Sequence, residues 1–208
     1  MRAHIPNLLT FFRIFLAVSG AAALYVSAWI DLASDETLVG ASGIFDRAAL
    51  ALAIFAVGAF FLAAITDWLD GYLARLWQVE SALGALLDPI ADKLLVDGYL
   101  LVYALILGLS GDTPVHVAVP VIVIVLRDIA ITYMRLGGRG SHKASIPVSV
   151  MGKVKTTFAM MVTGFPLIAQ PLGWLALDWV LGFWIAGLWA TAALTLLTIA
   201  GYFRRKQD

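Results

Sequence analysis

Six apolar stretches, near residues 8–30, 47–75, 84–109, 115–136, 149–169 and 179–203, hold more hydrophobic side chain than a globule of 208 residues has interior to bury. Each is close to the length an α-helix needs to cross a hydrocarbon core about 30 Å thick. In lipid the backbone has to satisfy its own hydrogen bonds, and helices do so one by one. The expected fold is therefore all-α, a polytopic membrane protein of six transmembrane helices, and a hydrophobic content of 62% agrees. Joining pieces such as "SGDTP" at 110–114 and "QPLG" at 170–173 are short and rich in turn formers, so residues 1–208 read as a single domain without repeats.

Basic residues set the orientation. With the N-terminus inside, 13 of the 14 lysines and arginines fall at inner ends, and only Arg47 lies outside. Both termini are expected in the cytoplasm. The lead-in "HIPNLLT" reads as a short interfacial segment entering the first span, with Pro6 suited to a helix's first turn. A secretory signal ending near "VSA" at 26–28 is the alternative, but Arg13 leaves it only a modest apolar run, and its removal would spoil the charge pattern. The absence of cysteine excludes disulfides, thiolate catalysis and Cys-ligated metal centres.

Against this apolar background, residues 67–93 read "DWLDGYLARLWQVESALGALLDPIADK". Asp67 and Asp70 are spaced i,i+3 near the inner end of the second span, so they share a helical face with Gly71, Ala74 and Arg75. Asp88 and Asp92, spaced i,i+4, share a face at the start of the third, with Pro89 expected in its first turn. A turn at 76–83 lets the two acidic faces meet at one depth. One aspartate at mid-membrane costs roughly 2.5–3.5 kcal/mol on insertion scales, and like charges in contact add repulsion. Arg75 and Lys93 are the cations within the motif, too few for four carboxylates. A divalent cation resolves the excess, and hard oxygen ligands favour magnesium, manganese or calcium. Interfacial residues held by water and salt bridges are the plainer alternative. Gly71 and Ala74 allow either close helix packing or a flat ligand against the helix.

Asp67, two residues, Asp70-Gly71, two residues, Ala74-Arg75, eight residues, Gly84, three residues, Asp88, three residues, Asp92: this pattern resembles the signature of the CDP-alcohol phosphotransferase family without departure. The resemblance implies transfer of a phosphoalcohol group from a CDP-linked donor to a hydroxyl, releasing CMP. It implies that Asp67, Asp70 and Asp88 hold Mg²⁺ or Mn²⁺, two ions per site, and that Asp92 contacts the second ion and serves as general base. Asn7 and Thr10 of "NLLT", with Gly71, Ala74, Arg75 and Ser81, would receive the CDP-diacylglycerol head. A homodimer in a bacterial inner membrane, its site facing the cytoplasm and with no nucleic-acid partner, is implied as well.

The acceptor has to be read elsewhere. Residues 127–156 carry Arg127, Arg135, Arg139, Lys143, Lys153 and Lys155 against one acid, Asp128, which suits an anionic acceptor. Plain positive-inside topology or lipid head groups account equally for Arg139 and Lys143. "IPNLLTFFRI", "LLDPIADKLLV" and "MGKVKTT" resemble the branch of the family whose acceptor is sn-glycerol 3-phosphate. Arg127, Arg135, Lys153 and Lys155 are then the candidates for its phosphate. A branch using a phosphorylated inositol and, from another class, a divalent-cation transporter are the competing readings. Trp29, Trp68, Trp77, Trp174, Trp179 and Trp184 are expected in aromatic belts, and Asp97 in a pair with Lys93 or a polar helix contact.

Overall fold

The computed structural model describes residues 4–37, 42–77, 84–109, 115–137 and 150–204. Among them every regular element is helical: α1 (His4–Thr37), α2 (Ser42–Trp77), α3 (Gly84–Leu109), α4 (Val115–Gly137), α5 (Val150–Ala169) and α6 (Asp178–Arg204), with a short 3₁₀ turn at Trp174–Ala176 before the last. α1 runs unbroken from His4, so "HIPNLLT" forms its opening turns, with Pro6 where no intrahelical donor is needed. Pro89 departs from expectation. α3 starts at Gly84, which puts the proline in the second turn, where the carbonyl of Ala85 loses its usual donor.

Among the described residues, four helices contain stretches long and apolar enough to cross a membrane: Asn7–Ala33, Arg47–Tyr72, Val115–Tyr133 and Asp178–Thr198. This makes the chain a multi-pass membrane protein. α3 stands apart because Asp88, Asp92, Lys93 and Asp97 fall within its first 14 residues, and α5 is only 20 residues long, with Lys153 and Lys155 near its start. Large apolar side chains such as Phe15, Ile54, Ile65, Phe183 and Leu197 face outward, as lipid-facing residues do.

The chain forms two compact units, Met1–Thr113 and Pro114–Asp208. In the first, α1 packs along both α2 and α3, while α2 and α3 touch each other little. The seam is built from small residues: Ala17, Ala21, Ala56, Ala59, Ala63 and Ala91 are all buried, letting backbones approach. At Gly20 a side chain would collide with the Tyr99 hydroxyl and with Ala59 Cβ, 2.8 Å away. That hydroxyl donates to the Ala56 carbonyl at 2.8 Å, and the Tyr99 ring meets Phe60 edge-on at 5.1 Å. Tyr99 thus brings a polar group into the seam and satisfies it there.

In the second unit α6 packs against α4 and α5. The expected turn after α5 is present: Gln170 N–H donates to the Pro166 carbonyl, and Gly173 takes a φ of 69°, the left-handed region that favours glycine. Trp184 corrects the aromatic-belt expectation. It is buried and its Nε1 donates to the Val162 carbonyl at 3.0 Å, so it is a core residue of the α5–α6 contact. Trp29, Trp68, Trp174 and Trp179 are exposed, as a belt requires, and the Trp77 side chain lies outside the described residues.

Candidate active site

Thr10 and Arg13, one turn apart on α1, gather the four aspartates. Thr10 Oγ1 donates to Asp88 Oδ1 at 2.9 Å. Arg13 Nη1 donates to Asp67 Oδ1 and, at 2.8 Å, to Asp92 Oδ1, while Nη2 donates to Asp70 Oδ2. Although α2 and α3 barely touch, their acidic faces are thus tied together through α1. The Arg13 side chain is 0% exposed, Asp70 is nearly buried at 9%, and Asp67 and Asp92 each keep a third of their side-chain surface open at 33%. Asp88 is half-buried too, so Asp67, Asp88 and Asp92 are the carboxylates that a soluble reactant can touch.

Sequence reasoning brought these aspartates together but missed their organiser. Arg13 counted there only as a topology signal. Its position inside the apolar run "NLLTFFRIFLAV" was the available clue, because intramembrane charges turn inward and find partners. Thr10, expected at the nucleotide head, is bonded to Asp88. Asn7 and Gly71 lie half-buried on α1 and α2 of the same unit. Ala74 and Arg75 continue α2, but their side chains, like all of Ser81, lie outside the described residues.

A second polar cluster lies within the other unit. Asp128 on α4 is 3% exposed, and its Oδ1 accepts from Arg127 Nη1 at 2.6 Å and from Lys155 Nζ of α5 at 3.2 Å. Arg127 Nη2 donates to Thr198 Oγ1 of α6 at 2.6 Å, and Arg127 Nε is buried with no acceptor. Two of the four acceptor candidates, Arg127 and Lys155, are thus held by one carboxylate. Arg127 and Asp128 are neighbours in sequence and were read together, but Lys155 and Thr198 went unread as their partners, since pairings across 27 and 71 positions leave no local pattern. The side chains of Arg135 and Lys153 lie outside the described residues, as do Arg139 and Lys143.

The donor chemistry of the first cluster fits a hard divalent cation: carboxylate oxygens from two helices, in excess over the one guanidinium they share. Among the described residues no three acidic or histidine side chains surround one metal-sized position as they stand. Their oxygens are turned onto Arg13 instead.

The family model for CDP-alcohol phosphatidyltransferase matches residues 3–199. A Cereibacter sphaeroides protein named CDP-diacylglycerol–glycerol-3-phosphate 3-phosphatidyltransferase is 36% identical over 166 residues, which cover 77% of this chain and 62% of the relative. Proteins of the same name from Haemophilus influenzae and Salmonella typhimurium are 42% identical over 110 residues and 34% identical over 181, covering 50% and 84% of this chain and 55% and 82% of the relatives. The chain spans less than two thirds of the first two relatives' length, 62% and 55%. With a family match running almost end to end and the signature aspartates drawn together at one point, the chain belongs to the CDP-alcohol phosphatidyltransferase family.

Proposed function

We propose that this chain transfers the phosphatidyl group of CDP-diacylglycerol to a hydroxyl of sn-glycerol 3-phosphate, giving phosphatidylglycerophosphate and CMP. The observation that carries the reading is the gathering of Asp67, Asp70, Asp88 and Asp92 by Arg13 and Thr10. The relatives' shared name, at 34–42% identity, supports the acceptor.

In this reading the four aspartates hold Mg²⁺ or Mn²⁺, which when bound neutralises the pyrophosphate and the departing CMP. Asp92, a third exposed, takes the proton from the acceptor hydroxyl. The hydroxyl oxygen then bonds to the phosphorus that bears diacylglycerol, and the bond from that phosphorus to the oxygen of CMP breaks. No covalent enzyme intermediate is needed. Asp70, nearly buried, keeps to cation binding. Asn7, Thr10, Gly71, Ala74, Arg75 and Ser81 receive the nucleotide end of the donor.

Arg127, Arg135, Lys153 and Lys155 receive the acceptor phosphate. Support comes from the Arg127–Asp128–Lys155 cluster, which brings two cations together on one carboxylate. The enzyme is a homodimer in a bacterial inner membrane, a single domain crossing it with six helices, with its termini and active site in the cytoplasm.

The test is CMP release by purified protein from CDP-diacylglycerol with Mg²⁺ and a panel of acceptors. Release with glycerol 3-phosphate alone, lost in Asp92→Asn, is the expected outcome. Release with inositol phosphate moves the chain to another branch. Absence of CMP with every acceptor, together with manganese flux into liposomes, makes it a transporter.

A further inference from the structure

We infer that Arg13 is a built-in competitor of the divalent cation: its guanidinium holds the carboxylate cluster together in the metal-free protein and yields those oxygens when the metal binds. The inference rests on the metal-binding reading above and adds a residue outside the aspartate signature. Three observations carry it. Arg13 is fully buried, yet it spends both terminal nitrogens on Asp67, Asp70 and Asp92, three of the four carboxylates expected to ligate metal. Those oxygens face the guanidinium and surround no metal-sized position of their own. The third donor of the group, Nε, is buried with no acceptor, so the carboxylates do not satisfy the guanidinium completely.

The physics follows from counting charges. A metal-free cluster of aspartates in an apolar bundle repels itself, and a single buried cation offsets part of that cost. A divalent ion offers twice the charge to the same lone pairs, so the two cannot share all of them. Arg13 therefore lowers the affinity for metal while keeping the empty cluster folded. The residue positions the ligands and takes no part in the chemical step.

Binding of Mn²⁺ to the purified full chain in detergent, read by electron paramagnetic resonance, tests this, together with thermal melting in EDTA and in saturating Mn²⁺. Arg13→Gln should bind Mn²⁺ roughly tenfold or more tightly than wild type, because a full positive charge leaves contact range of the ligands. It should melt lower than wild type in EDTA, with the gap closing in Mn²⁺. Arg13→Lys keeps the charge but lacks the fork that reaches three carboxylates, so it should fall between the two. That variant decides the matter if Arg13→Gln does not fold. Affinity in the variants equal to or weaker than wild type overturns competition while leaving the metal reading intact. No Mn²⁺ binding by any of the proteins overturns the metal reading and the competition with it, whereas binding by the variants alone establishes both.

Discussion

The two buried polar clusters are inverses of one another. In the first unit one guanidinium is shared by three carboxylates, and in the second one carboxylate is shared by two cations. A threonine stands beside each, Thr10 on the helix that carries Arg13 and Thr198 on α6, and the hydroxyl changes role with the charge. Thr10 donates to Asp88, where acceptors are in excess, while Thr198 accepts from Arg127, where donors are. A hydroxyl can do either, which makes threonine a fit neighbour for both kinds of imbalance. The difference teaches what each cluster suits. The acidic one gathers carboxylates in excess of its one guanidinium, the donor set a divalent cation takes, and the basic one gathers two cations on one carboxylate, the donor set a phosphate takes.

The largest expected effect separates chemistry from binding. Asp92→Asn keeps the shape of the site but loses the base, so CMP release should fall roughly 10²–10⁴-fold. EDTA should abolish release in wild type, and added Mg²⁺ or Mn²⁺ should restore it. A variant that retains most of its rate would remove the base from the acidic cluster and break the contrast.

Stability comes next. Asp128→Ala removes the carboxylate that Arg127 and Lys155 share in a buried setting, and losing one partner of a buried pair costs about 3–5 kcal/mol. A large drop in melting temperature in detergent, partly recovered by Asp128→Asn, is the expected result. An unchanged melting curve would mean that water already screens the cluster.

Smaller effects probe the scaffold. Gly20→Val presses a side chain against Tyr99 and Ala59 at the seam that carries Arg13, and overpacking of this kind costs about 1–3 kcal/mol. Tyr99→Phe removes only the bond to the Ala56 carbonyl, about 1 kcal/mol. The order of these two reports whether shape or polarity governs the α1–α2–α3 contact.

Much of this molecule was legible because its signals are local. Hydropathy placed α3 on the same residues the structure gives, 84–109, and α4 and α6 within about one residue at each end. α1 and α2 run past their apolar runs, since "DLASDET" and "SGIFD" contain no proline and the helices continue into polar sequence. The aspartates were legible by their i,i+3 and i,i+4 spacing. Arg13 was not, because its partners lie 54, 57 and 79 positions away and only the packing of α1 against two other helices selects them. Trp184 failed for the same reason: a belt tryptophan and a core tryptophan near a helix end look alike until a neighbouring carbonyl is placed beside the indole nitrogen.

The division of labour between the clusters is tested most directly by steady-state kinetics of Lys155→Gln beside Asp92→Asn, with glycerol 3-phosphate varied at saturating CDP-diacylglycerol and Mg²⁺. The account predicts that Lys155→Gln raises KM for glycerol 3-phosphate with kcat largely kept, and that Asp92→Asn lowers kcat with KM little changed. A kcat loss in Lys155→Gln without any change in KM would contradict it, because the basic cluster would then have no part in holding the acceptor.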